Sequence, residues 1–170
     1  MKIKTKLTKL GRNPKEFKGY VNPPIFKGST IIFDNFKSYI NDRDRNDDDE
    51  NCKYGIQFNP TTTIFEKSIT SLYNSNDTVA TPSGLSALII PFFSFLKSGD
   101  HVLISDALYS PTRKFCEKIL FNYGIKINYF HPTKNIDKFE NLIKNNTKLI
   151  FLESPGTATF DIIDFPKIAK

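Results

Sequence analysis

The sequence predicts an α/β protein: a three-layer, mostly parallel sheet, incomplete, with an extended N-terminal arm before it. Three observations carry this. From Thr61 onward, short apolar runs alternate with helical segments of about 10–15 residues, the pattern of strand–helix–strand units. Before Thr61 there is no such alternation. At the far end, four strand candidates are followed by a helix candidate, Phe165 to Lys170, that has barely begun at the last residue.

Residues 1–60 are assigned to the arm. Val21-Asn22-Pro23-Pro24 must be extended, because a residue before proline is pushed out of the helical region. Ser29 to Phe33 is expected as a short strand or as extended arm. Residues 41–50, NDRDRNDDDE, hold no apolar residue and are expected as a solvated acidic loop rather than a metal site. Residues 61–170 are assigned to one domain. Thr61 to Tyr73 places Ile64, Phe65, Ile69 and Leu72 at helical spacing. Thr78 to Thr81 is a strand candidate. Ser83-Gly84 opens an apolar helix, Leu85 to Leu96, with a kink expected near Pro91. Ser98-Gly99-Asp100 turns into a buried strand, His101 to Ser105. Ser110 as cap and Pro111 as first helical residue start a helix that runs to about Tyr123 and stops at Gly124. Ile125 to Phe130 alternates as a strand, and Asn135 to Lys144 is a short amphipathic helix. Lys148 to Glu153 is the last strand, followed by the loop Ser154-Pro155-Gly156-Thr157.

Composition excludes several classes. With 170 residues and 39% hydrophobic content, the chain can bury a core, which argues against disorder and against a fibrous protein. No stretch reaches the roughly 18 apolar residues of a membrane span, so no membrane partner is expected. The basic start, Met1 to Leu10, has no apolar segment after it and is not a secretory signal. Cys52 and Cys116 are too few for a disulfide scaffold and show no C-x-x-C spacing, so a reducing cytoplasm is the expected location. Net charge is +6, and it is unevenly spread. Residues 1–40 carry nine Lys/Arg against two acids, and residues 41–50 carry two against six. Twenty of the basic residues are Lys, and nucleic-acid binding would prefer Arg clustered with aromatics on one face. No nucleic-acid partner is expected.

In open α/β sheets, ligands gather at the carboxyl ends of strands. The first such end is Thr81-Pro82-Ser83-Gly84-Leu85. The free N–H groups of Gly84 and Leu85 at a helix N-terminus would suit a phosphate; taken alone, a Ser-Gly turn with a capping hydroxyl is the plainer reading of the segment. The second runs from Ser105 to Arg113. Tyr109 is placed to stack on a flat cofactor or move a proton, and Arg113 to pair with an anion; an ordinary tyrosine at a loop–helix junction is the plainer alternative. The third is Glu153 to Thr157, where the carboxylate either orients a ligand or pairs with a lysine.

Taken together, these segments resemble the cysteine/methionine-metabolism family of pyridoxal 5'-phosphate (PLP) enzymes. Val21-Asn22-Pro23-Pro24-Ile25 with Ser29-Thr30 and Phe33-Asp34 is similar to the start of that family. Tyr54-Gly55 followed by Asn59-Pro60-Thr61 resembles its Y-G-R…PT segment. Thr81 to Ala87 resembles its phosphate turn, and Leu96 to Leu103 its LK-x-GDH-V-L run. Tyr109-Ser110-Pro111-Thr112-Arg113 and Leu152-Glu153-Ser154-Pro155-Gly156 are closest to the forms in bacterial cystathionine β-lyases. The resemblance covers about residues 20–170.

The resemblance implies the fold type I large domain of PLP-dependent transferases, of which residues 61–170 would be the first part. It implies PLP as cofactor and a sulfur amino acid as substrate. The implied reaction is cleavage of cystathionine to homocysteine, pyruvate and ammonia, with the cofactor as electron sink. Gly84 and Leu85 would give N–H groups to the cofactor phosphate, with Ser83 beside them. Tyr109 would stack on the ring and assist proton transfer. Tyr54 would reach the phosphate of a neighbouring subunit, which implies a homo-oligomer. Glu153 would be a supporting residue. No metal is implied.

Two departures stand out. The family's phosphate-binding arginine, two residues after the tyrosine, is Ile56 here, and Gln57 offers only a neutral hydrogen bond. The family's pyridine-nitrogen aspartate and Schiff-base lysine have no matching position, since Lys167 and Lys170 precede the expected aspartate motif. The expectation is therefore an N-terminal fragment, inactive alone. The alternatives are a cystathionine γ-synthase or methionine γ-lyase fragment, and a non-catalytic module that binds a full-length homologue. A small basic nucleic-acid binder is a third, motivated only by the Lys-rich arm.

Overall fold

A computed structural model describes residues 2–43, 54–56, 58–134 and 136–170. Most of the acidic run 41–50, together with Cys52, Gln57 and Asn135, lies outside the described residues. The chain divides into two compact units, 1–80 and 81–170.

In the first unit, α1 (Ile3–Leu7), α2 (Phe36–Arg43) and α3 (Pro60–Tyr73) are joined by extended chain. Ser29 to Phe33 is extended without ladder partners among the described residues, so the arm alternative holds there. Neither α1 nor α2 is anticipated by periodicity. At α2, the Asn35 carboxamide oxygen accepts the Ser38 N–H at 2.9 Å. Residues 41–43 of the expected acidic loop are the last of this helix. Helix α3 starts one residue before the expected Thr61: Asn59 caps it by accepting the Thr61 N–H, with Pro60 in the first turn. That start also gathers the arm. The Thr61 hydroxyl accepts the Phe26 N–H at 2.9 Å, and the Asn59 amide donates to the Phe26 carbonyl at 3.0 Å.

Thr78 to Thr81 is not a strand. Side chains take its N–H groups instead: Asp77 Oδ1 accepts from Thr78 at 2.7 Å, and Glu66 Oε1 from Ala80 at 2.7 Å. Local side-chain bonds of this kind compete with ladder pairing, and Val79 stands 76% exposed. The sheet therefore has three strands rather than four among the described residues.

The second unit holds that sheet: β1 (His101–Ser105), β2 (Lys126–Phe130) and β3 (Thr147–Phe151), in the order β2-β1-β3 and all parallel. β1 is central and every one of its residues is buried, in keeping with the apolar run Val102-Leu103-Ile104 at its middle. Val102 and Ile104 face helices α4 (Gly84–Phe95) and α5 (Ser110–Lys118), packing with Phe92, Leu96, Phe115, Cys116 and Leu120. Leu103 faces the opposite side with Phe130 and Phe139, joined by Ile150, Leu152 and Ile168 of α6 (Phe165–Ala169). Two faces, each covered, make the three layers expected.

Helix α4 continues through Pro91, whose missing N–H costs one internal bond. Tyr109, not Ser110, is the capping position of α5; its carbonyl accepts the Thr112 and Arg113 N–H groups at 3.0 and 3.1 Å. The helix expected to reach Tyr123 ends at Lys118 and tightens into a 3₁₀ turn, Leu120–Tyr123, before Gly124 at φ 78°. The segment Ile136–Leu142 is likewise 3₁₀ rather than α-helical.

At the amino edge of the sheet, His101 ties all three strands together. Its Nε2 donates to Asn128 Oδ1 on β2 at 2.9 Å, and its Nδ1 lies 2.7 Å from the Thr147 hydroxyl on β3. The Thr147 oxygen already accepts the Lys144 N–H, so its proton is free for Nδ1.

Candidate functional site

The site lies at the opposite edge, where β1 and β3 finish. Helix α4 leads back to the start of β1 through the 97–100 turn, so its N-terminus points the same way as the strand ends. Ser83 caps α4. Its hydroxyl accepts the Ser86 N–H at 3.1 Å, and its carbonyl accepts the Ala87 N–H at 3.1 Å. The N–H groups of Gly84 and Leu85 are left without an intrahelical partner by the geometry of a helix start. Gly84 is exposed, and a Cβ there would meet nothing within 4 Å, so the approach to these donors is open.

After β1 the chain runs Asp106-Ala107-Leu108-Tyr109. Leu108 is buried, while Tyr109 is 42% exposed. The Tyr109 N–H donates to Glu153 Oε2 at 2.9 Å. The other carboxylate oxygen of Glu153 accepts the Thr157 hydroxyl. The Thr157 N–H in turn donates to the Ala107 carbonyl at 2.8 Å. One carboxylate and one backbone bond thus join the loop after β1 to the loop after β3. Gly156 sits at the closest approach: a Cβ there would fall 2.6 Å from Ala107 Cβ and 2.8 Å from Thr159 Oγ1. Across the same loop, Ser154 Oγ accepts the Ile163 N–H at 3.0 Å, and the Ser154–Pro155 peptide is cis.

Arg113 is already partnered. It pairs with Asp106 Oδ1, reaches Glu117 at 3.3 Å, and lies 4.1 Å above the Tyr129 ring. Burial works against its charge, but the Asp106 hydrogen bond and charge outweigh this and raise its pKa. Burial, with the charges of Cys116 and Glu117, pushes the Tyr129 phenol up to about 12. Arg113 therefore serves the α5–β2 junction and is not the free anion partner the sequence suggests. Among the described residues Glu153 takes a backbone N–H and a hydroxyl rather than a lysine.

Ser83, Gly84, Leu85 and Tyr109 all belong to the second unit. Tyr54 lies in the first, in the turn Tyr54-Gly55-Ile56, where the Gly55 N–H donates to the Ser29 carbonyl at 2.8 Å. Tyr54 is 45% and Ile56 75% exposed. Thr157 and Gly156 are the residues that motif reading leaves without a role. Among the described residues no cluster of His, Cys, Asp and Glu could hold a metal ion.

Residues 4–170 match the Cys/Met metabolism PLP-dependent enzyme family. The chain belongs to that family. PLP is the family's cofactor, and the residues present fit its phosphate: two free N–H donors, a hydroxyl and an open approach. The chain is 34% identical to an L-alanine/L-glutamate racemase of Wolbachia pipientis wMel over 100% of its length and 43% of that protein's. It is 32% identical to the cystathionine beta-lyase MetC of Escherichia coli strain K12, over 98% of its own length and 42% of that protein's. Its fold matches the crystal structure of metB from Corynebacterium glutamicum with a TM-score of 0.85 at 24% identity, covering 99% of this chain and 41% of the other. The chain thus spans less than half the length of the curated relatives it matches. No helix among the described residues is long and apolar enough to cross a membrane.

Proposed function

We propose that this chain supplies the phosphate-binding and ring-stacking side of a cystathionine β-lyase-like carbon–sulfur lyase. The observation that carries the reading is the pairing at one sheet edge of an open helix start, Ser83-Gly84-Leu85, with a half-exposed tyrosine whose backbone is anchored. PLP, when bound, supplies the electron sink for carbon–sulfur cleavage. The protein's part follows from its own groups. Gly84 and Leu85 N–H and the Ser83 hydroxyl hold the phosphate, where the helix dipole favours negative charge. Tyr109 gives the ring a flat face, and its phenol holds a proton near the substrate nitrogen. The Glu153-Ser154-Pro155-Gly156 wording supports a β-lyase over γ-synthase or γ-lyase chemistry.

Tyr54 is assigned to the phosphate of a partner copy, which makes the working form a homo-oligomer. Ile56 leaves that contact without its usual guanidinium. Because no residue of the 170 matches the family's cofactor lysine, the chain by itself binds PLP without turning cystathionine over. The test is to purify the chain, add PLP, measure binding by equilibrium dialysis, and then reduce with borohydride. Saturable binding abolished by Gly84→Asp, with no stoichiometric adduct and no pyruvate, is the expected result. A site-specific adduct accompanied by cystathionine turnover would overturn the inactivity. Absence of saturable binding would overturn the cofactor role.

A further inference from the structure

We infer that Glu153 is a positioning residue that sets Tyr109 and Thr157 in register across the mouth of the site. The inference rests on the cofactor site proposed above, but its geometry stands separately. Tyr109 has three points of attachment. Its N–H is taken by Glu153 Oε2 at 2.9 Å, and its carbonyl by the Thr112 and Arg113 N–H groups. Its side chain is left 42% exposed. The backbone is therefore pinned on both sides of the Cα while the ring is free to meet a ligand. The second Glu153 oxygen takes the Thr157 hydroxyl, and Thr157 closes the circuit through its N–H to the Ala107 carbonyl at 2.8 Å.

Charge matters here because both carboxylate oxygens accept, and hydrogen bonds to an ionised acceptor are the stronger kind. A glutamine can keep both bonds by donating its amide to the threonine oxygen, since that hydroxyl accepts as well as donates. An alanine can keep neither. Glu153→Gln should therefore retain the register and Glu153→Ala should lose it.

The experiment is amide hydrogen exchange on the uniformly ¹⁵N-labelled chain, with Val102 to Ile104 of the buried β1 as internal reference. In Glu153→Ala, protection of the Tyr109 amide should fall about tenfold or more relative to β1, the loss of one hydrogen bond to a charged acceptor. Glu153→Gln should bring it back to within about threefold of wild type. An unchanged Tyr109 amide, an equal fall at β1, or no rescue by glutamine would each overturn the inference. PLP affinity of the three proteins, by dialysis, forms the second arm and should follow the same order. If the wild-type chain binds no PLP, the proposed function fails while the exchange arm still decides the role of Glu153.

Discussion

Gly156→Ala tests the closeness of the two loops directly. The glycine is not in a left-handed conformation, so the cost is steric alone. The added methyl would lie 2.6 Å from Ala107 Cβ, whereas carbon atoms pack at about 3.5–4.0 Å. The loops must therefore part by about 1 Å. Ala107 is buried and its methyl cannot swing aside, so the backbone takes the displacement. Overpacking of this kind costs about 1–3 kcal/mol. Loss of the Thr157 N–H bond to the Ala107 carbonyl adds about 1 kcal/mol. A total of about 2–4 kcal/mol, at a urea slope of about 2 kcal/mol/M, lowers the midpoint by about 1–2 M. The assay is urea unfolding followed by circular dichroism, with Gly84→Ala as the control. Nothing lies within 4 Å of a Cβ at Gly84, so that variant should move the midpoint by less than about 0.3 M. Equal midpoints for Gly156→Ala and wild type would refute the argument from close approach.

Three further outcomes are expected. His101→Ala should cost about 2–4 kcal/mol in urea unfolding, because it leaves a buried void and removes the bonds of His101 to Asn128 and Thr147, which then keep only Lys144. Burial, with Glu117 nearby, raises the Cys116 thiol from 9.0 to about 12. The folded state thus favours the neutral thiol, so this stabilisation is complete below about pH 9 and lost as pH climbs toward about 12; in a Cys52→Ser chain, iodoacetamide should label Cys116 only when urea is present. Ile56→Arg should tighten PLP binding about tenfold or more by restoring a charge-assisted contact, and the gain should grow with protein concentration if it acts across a pair of copies. Dialysis over a concentration series checks both statements.

The parts legible in the sequence are those whose physics is local. β1 has the apolar centre Val102-Leu103-Ile104 that a strand covered on both sides needs. The start of α3 is written in Asn59-Pro60, and the end of the α5 segment in Gly124. What escaped is decided by which side chains meet, near or far along the chain, and not by periodicity. Thr78 to Thr81 has strand composition, yet Asp77 and Glu66 claim its N–H groups. Arg113 looks like a free cation until Asp106 and Glu117 are seen around it. The same holds at the site. Ser83, Gly84 and Tyr109 sit at strand-to-helix junctions that any α/β pattern marks. The bond from Tyr109 to Glu153 joins residues 44 apart, and no periodicity encodes it.

The strand order β2-β1-β3 leaves β2 and β3 each with a partner on one side only among the described residues. Unpaired strand rims are templates for unwanted pairing between molecules. Each rim here carries an exposed lysine, Lys126 on β2 and Lys148 on β3. In the 170-residue chain these two cations should oppose rim-to-rim pairing between copies. Added salt, by screening the repulsion, should make this 170-residue chain more prone to associate rim to rim.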